Sequence, residues 1–216
     1  MSRSRPGLGW RPVRPILAVM ESDGELVLRL RSGDERAFIG LVERYNEPML
    51  RLAASFVPSR AIAEEVVQDT WLAVLRGIGG FEGRSSLKTW LFSILANQAR
   101  KTGTREHRSI PVADPEPVVD PSRFDASGGW ADPPEHWIEV AEGRMEAGKL
   151  AYRIRVWIDE LPARQREVVL LRDVEGMSSE EVCAVLALSD GNQRVLLHRG
   201  RSRVRQMFED EFREVR

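Results

Sequence analysis

Apolar residues recur at three- and four-residue spacing along most of this chain, and no alternating run of strand length interrupts them. Residues 25–31 form a short amphipathic segment. Asp34 suits the cap of a helix that buries Phe38, Leu41, Val42 and Tyr45. Pro48 suits the first turn of a separate helix carrying Met49, Leu52, Ala53 and Phe56 and stopping at Pro58. The longest clear helix is predicted over 61–78, with Val67, Trp71, Val74 and Ile78 as its buried stripe. Gly77, Gly79 and Gly80 end it. Ser85 or Ser86 then caps a helix to about Lys101 that turns Leu87, Leu91, Ile94 and Leu95 inward.

The pattern breaks over residues 109–142, which hold six prolines, eight acids and one arginine and so form no single regular element. A segment of that length marks a boundary or a functional connection. Helical spacing then resumes through Ala151, Ile154, Trp157, Ile158 and Leu161. Pro162 opens another helix through Val168, Val169 and Leu171 to Asp173. Ser178 and Glu181 have capping-box spacing ahead of Val182, Cys183, Val185 and Leu186. Residues 189–191 are turn and cap material, and a last helix buries Leu197, Gly200 and Val204. A glycine inside a helix costs roughly 1 kcal/mol, so Gly200 is expected to permit a close helix crossing. The expected fold is all-α. A basic, disordered arm at 1–22 precedes a helical bundle at 23–103, an acidic Pro/Gly-rich linker at 104–142, and a helix-turn-helix domain at 143–216.

Charge changes the picture at the C-terminus. The net charge of the chain is only -1, yet residues 194–205 contain five arginines, one histidine and no acid. A solvated surface helix usually alternates sign. An acid-free helix following a helix and a tight turn has the layout of a helix-turn-helix on DNA. Asn192, Arg194 and His198 lie near its N-terminal end, which suits the major groove. Arg199, Arg201 and Arg203, with Arg205, lie further along and suit phosphates.

Two other faces carry candidate chemistry. Glu65, Gln68, Asp69 and Leu72 recur at i, i+3, i+4 and i+7 away from the Val67/Trp71 stripe. A leucine among acids suits docking of a basic partner helix, although an ordinary solvated face has the same spacing. In FEGRSSLKTWLFSILANQARK (residues 81–101), Arg84, Lys88, Arg100 and Lys101 are interleaved with Trp90, Phe92 and Asn97. Cations beside aromatics suit single-stranded nucleic acid, and an amide such as Asn97 can read a base edge. Trp90 and Phe92 suit a core equally well. No phosphate-binding loop, nucleophile elbow or zinc-protease motif occurs, one cysteine allows no internal disulfide, and no Cys/His spacing suits zinc. No enzymatic activity, cofactor or metal is expected. No apolar run approaches the ~18 residues of a membrane span, so the chain is expected to be cytoplasmic.

Four segments together resemble the bacterial RNA polymerase sigma factors, in particular the extracytoplasmic-function (ECF) class. They are SGDERAFIGLVERY (32–45), AEEVVQDTWLAVLRGIGGFEGRSSLKTWLFSILANQAR (63–100), LPARQREVVLLRDVEGMSSEEV (161–182) and NQRVLLHRGRSRVR (192–205). The resemblance implies that the first domain is region 2, with Glu65, Gln68, Asp69 and Leu72 docking on the β′ clamp of core polymerase. It places Arg84, Lys88, Trp90, Asn97, Arg100 and Lys101 on the −10 element, with Asn97 facing a flipped-out base. It makes the second domain region 4, with Asn192, Arg194, His198, Arg199, Arg201 and Arg203 on the −35 element and a contact to the β flap. It also implies an anti-sigma partner, and a linker that threads toward the polymerase active centre. The chain departs from the class at Gln193, where an apolar residue is common, and at Val195 and Leu196, where a polar or basic pair is common. The helix-turn-helix interior or the bases read are expected to differ accordingly. The alternative function is a freestanding helix-turn-helix regulator with an N-terminal interaction domain.

Overall fold

A computed structural model of the chain describes residues 22–106 and 147–213. The basic arm up to residue 21 and most of the linker, including Trp130 and Trp137, lie outside the described residues. Eight α-helices, one short 3-10 turn and one π-helical turn account for the regular structure among them, and none of the helices is long and apolar enough to cross a membrane.

Helix α1 (Asp23–Arg31) starts on a capping box. The Glu25 N–H donates to Ser22 Oγ at 3.3 Å, and the Ser22 N–H donates to Glu25 Oε2 at 3.0 Å. Asp34 caps α2 (Glu35–Ala53) by accepting from the Arg36 and Ala37 N–H groups at 2.9 and 3.2 Å. The expected break before Pro48 is absent: α2 runs through it as one helix. Proline removes one ladder bond, but Leu41, Met49, Leu52 and Ala53 are all buried on the same packed side, and that burial outweighs the lost bond. Ser59 caps α3 (Arg60–Gly77), which passes through a 3-10 turn at Ile78–Gly80. Ser86 caps α4 (Leu87–Glu106), accepting from the Thr89 N–H at 3.1 Å. Helices α2, α3 and α4 pack as a bundle. Helix α1 is tied across its end: Asp23 Oδ2 accepts from the Leu87 N–H at 2.7 Å, and Arg31 donates to the Ile78 and Phe81 carbonyls.

The second half comprises α5 (Ala147–Asp159), α6 (Ala163–Val169), α7 (Ser179–Leu186) and α8 (Asp190–Arg213). After α6 the chain widens into a π-type turn over Leu170–Val174, closed by the Glu175 N–H on the Leu170 carbonyl at 2.8 Å. The Ser178/Glu181 capping box is formed, at 3.1 and 2.9 Å. Ala187 ends α7 in the left-handed region at φ 54°, a position glycine more often takes. Helix α8 crosses α6 at Gly200. A Cβ built there would lie 2.6 Å from Val169 Cγ2, which accounts for the glycine. Trp157 and Phe208 meet edge to face at 5.9 Å beside that crossing. Buried residues of the two halves form one contiguous cluster from Val27 to Leu197.

Two stability measurements follow from this packing. Val169 is β-branched and buried, so it yields little. Gly200→Ala is expected to lose about 1–2 kcal/mol in urea unfolding, overpacking outweighing the helix-propensity gain. Glu167 is 2% exposed, and burial pushes its carboxyl up to about 7, against the pull of Arg164 at 3.2 Å. Between the ordinary value of 4.5 and about 7 the folded state therefore holds a proton that the unfolded state has released. Stability contributed by that proton falls as pH rises through this window. Glu167→Gln should remove the fall, leaving the variant more stable than the parent at pH 8 by on the order of 2 kcal/mol and close to it at pH 5.

Candidate nucleic-acid interface

Helix α3 turns Val66, Val67, Thr70, Trp71 and Val74 into the core. That choice of face leaves Glu65, Gln68, Asp69 and Leu72 exposed together, with Leu72 at 48%. An exposed leucine flanked by acids on a rigid helix suits a partner helix that is basic and apolar. Leu75 and Ile39 are also half-exposed, so the apolar part of this surface is broader than the four residues the spacing singled out. Beneath the stripe, Thr70 bridges α3 to α4 by donating to Gln98 Oε1 at 2.8 Å.

Helix α4 does not present its candidate residues as one row. Leu87, Leu91, Phe92, Leu95, Ala96 and Ala99 are buried, and they divide the polar positions into separate flanks. Trp90 is half-buried, packs on Phe81 at 5.2 Å and lies against Gly77, a core role. Phe92 is fully buried. Arg84 is exposed in the preceding loop and pairs with Glu82 at 3.0 Å. Asn97 and Lys101 are exposed on the outer side of the helix, and Asn97 Oδ1 accepts from Arg100 at 3.1 Å. Lys88 and Arg100 lie on the flank that faces α7. Burial lowers the Arg100 guanidinium from its ordinary value, and it donates to the Val185 carbonyl at 2.6 Å.

On α8 the exposed positions near the N-terminal end are Asn192, Arg194 and Val195, with His198 and Arg199 half-buried one turn on. Ser189 caps the helix by accepting from the Asn192 N–H at 3.3 Å. Arg194 pairs with Asp190 at 2.8 Å, both more than half exposed, which holds the guanidinium at the helix end. Burial, then the charge of Arg199, pushes the His198 imidazole below its ordinary value. Further along, the arginines are engaged within the domain. Arg201 grips the Asp173 carboxylate through two bonds at 2.9 and 2.6 Å, and Arg203 donates to Gln165 Oε1 at 3.0 Å. Arg205 pairs with Glu209 at 2.5 Å.

The three positions where the sequence departs from the class separate cleanly. Gln193 is 1% exposed and accepts from Ser179 Oγ at 2.9 Å, so it closes the helix-turn-helix interior with a hydrogen bond where an apolar contact is common. Leu196 is buried. Val195 is 47% exposed among the polar residues of the helix start. Spacing points to none of Glu175, Glu181 and Arg51 as site residues, yet Glu175 meets Lys88 of α4 and Arg51 of α2, and Glu181 meets Ser86 and Thr89 at the start of α4. Capping-box spacing had assigned Glu181 a purely local task.

Comparison with known proteins adds an independent line. Residues 41–109 match the family model described as Sigma-70 region 2, and residues 152–204 match the one described as Sigma-70, region 4. The RNA polymerase sigma-H factor of Pseudomonas aeruginosa is 29% identical over 199 residues, covering 92% of this chain and 100% of that protein. The ECF RNA polymerase sigma-E factor of Escherichia coli K12 is 29% identical over 183 residues, covering 85% of this chain and 92% of its own. Among solved structures, CnrH in complex with the cytosolic domain of CnrY aligns with a TM-score of 0.53 at 24% identity, over 88% of this chain and 99% of that one. The sigma factor RpoE in complex with the anti-sigma factor NepR from Bartonella quintana aligns at 0.50 and 23% identity, over 80% of this chain and 96% of its own. At that identity the two structures speak to the fold.

Proposed function

The chain belongs to the sigma-70 family as an alternative sigma factor of the ECF class, and from that premise we propose how its residues divide the work. The observation that carries the assignment is the order of the matches: region 2 covers most of α2 and all of α3 and α4, and region 4 ends on the arginine-bearing α8. A freestanding helix-turn-helix regulator needs only the second. The protein works by binding, without chemistry of its own, and acts in the cytoplasm where core polymerase and promoter DNA are found. The division into a region 2 domain at 23–103 and a region 4 domain at 143–216 is part of the proposal.

The exposed row Glu65, Gln68, Asp69 and Leu72 docks on the polymerase clamp. Its support is a rigid helix that offers acids and one leucine on a face the core does not use. Asn97 and Lys101, exposed on α4, take the single-stranded −10 element, Asn97 at a base edge and Lys101 at phosphate. Arg84, Lys88 and Arg100 supply further backbone contacts, and Trp90 supports the helix from its core side. At the −35 element, Arg194 reads a base from the start of α8 with Asn192 beside it, and Val195 suits a thymine methyl. His198, Arg199, Arg201 and Arg203 contact or position for phosphate. Region 4 meets the β flap, and an anti-sigma factor of the kind that holds related proteins regulates the whole.

The test is reconstitution. Core polymerase plus this protein should initiate transcription at promoters that core alone ignores. Tight duplex binding with no effect on core polymerase would favour the freestanding regulator. Asp69→Lys, which reverses charge on an exposed residue, should weaken binding to core polymerase at least several-fold while leaving binding of the −35 duplex unchanged. Equal core affinity removes α3 as the docking face. Arg194→Ala should cost about 1–3 kcal/mol at the cognate duplex and relax preference at one position, measured by competition among point-substituted duplexes.

A further inference from the structure

Helix α1 grips both ends of the loop that joins the 3-10 turn to α4. At the entry, Arg31 Nε donates to the Ile78 carbonyl at 3.2 Å, and a terminal guanidinium nitrogen donates to the Phe81 carbonyl at 2.5 Å. At the exit, Asp23 Oδ2 accepts at 2.7 Å from the Leu87 N–H, a group with no partner inside α4. The two side chains stand at opposite ends of a nine-residue helix, about 12 Å apart along its axis. That helix is itself anchored. Val27 is buried, Leu26 and Leu30 pack on the core, and Arg29 pairs with the α2 cap Asp34 at 2.8 Å. Between the two grips, Glu82, Gly83, Arg84, Ser85 and Ser86 are all exposed. Gly83 turns the loop in the left-handed region at φ 72°, and Arg84 pairs with Glu82 at 3.0 Å.

A stretch with no buried side chain takes its course from backbone ties. Fixing a free loop residue costs backbone entropy, so a loop already held in its bound course binds more tightly than one ordered on contact. We propose that Arg31 and Asp23 are positioning residues for the −10 element: α1 holds the loop at both ends, so that Arg84 is presented to a phosphate of the single strand, and makes no contact with DNA itself. This rests on the reading of Arg84 as a −10 residue. Each grip has the chemistry its place requires. The planar guanidinium fork reaches two carbonyls at once, which a point-charge ammonium does less well. The carboxylate meets the N-terminal end of α4, where unpaired N–H groups and the helix dipole favour an anion. Loss of either grip frees the loop without unmaking α4, whose Ser86 cap and buried Leu87 and Leu91 remain.

The experiment is a double-mutant cycle on the full chain bound to core polymerase. The probe is a fluorescein-labelled fork-junction DNA, with a duplex −35 element and a single-stranded −10 element, taken from a promoter that the reconstituted enzyme transcribes. In the parent, Arg84→Ala and Lys101→Ala should each weaken binding roughly three- to tenfold. In an Arg31→Ala background, Arg84→Ala should cost less than about 1.5-fold more, as for two side chains that act as one unit. Lys101→Ala, on the exposed side of α4, should keep its full effect there. Asp23→Ala should repeat the pattern. Asp23→Asn, which keeps an oxygen for the Leu87 N–H, should restore the effect of Arg84→Ala. Partial unfolding lowers the active fraction for every variant alike and leaves these ratios unchanged, so a merely structural role of α1 predicts no selective loss. An undiminished Arg84 effect in both α1 backgrounds overturns the inference. An equal loss of the Lys101 effect overturns it too, by reducing it to a general disturbance of α4. If Arg84→Ala has no effect in the parent, the assignment of Arg84 to the −10 element fails together with this inference, while the Lys101 effect reports separately on α4. If the parent keeps its Arg84 effect and only the coupling is missing, the −10 reading stands and the inference alone fails.

Discussion

The position of helix α4 is the constraint on which the rest depends. One side of it must be apolar, because Leu87, Leu91, Leu95 and Ala99 close the core against α2 and α3. Another flank carries Lys88 and Arg100. A cation on a helix flank that also abuts another domain is costly unless an anion meets it. Asp23 anchors the first turn from α1, Ser86 caps it, and Glu175 and Glu181 answer Lys88 and Thr89 from the far domain. The start of α4 is thus the place where both halves of the chain converge. The proximity of α7 to it follows from those polar contacts as much as from the shared apolar cluster.

The arginine-rich α8 shows a related economy. Gly200 lets the helix lie close on Val169 of α6, and that approach brings Arg201 to Asp173 and Arg203 to Gln165. The same guanidinium groups that give the helix its positive field also fix its orientation on the domain. Near its N-terminal end, Gln193 and Leu196 face inward while Asn192, Arg194 and Val195 face out. The exposed side chains proposed to read bases thus sit at the capped start of a helix packed against the domain.

Much of this was legible from spacing. The caps at Asp34, Ser86, Ser178 and Ser189 stand where hydroxyl or carboxylate side chains precede apolar periodicity, and the close crossing at Gly200 follows from a glycine that a free helix would avoid. Pro48 misled, because local propensity favours a helix start there while the buried stripe on either side of it favours continuity. Trp90 could not be placed from sequence, since basic residues flank it on the page but Phe81 and Gly77 flank it in space. The tasks of Arg201, Arg203, Glu175 and Glu181 were invisible for one reason. Their partners lie between 28 and 124 residues away, and charge composition gives no information about which charges meet.

Permanganate footprinting of a cognate promoter, with core polymerase and this protein together and each alone, tests the central claim most directly. The account requires unpaired, reactive thymines at the −10 element and duplex protection at the −35 element only when both are present. Protection of duplex DNA by the protein with no melted region, in the presence of core polymerase, would contradict it.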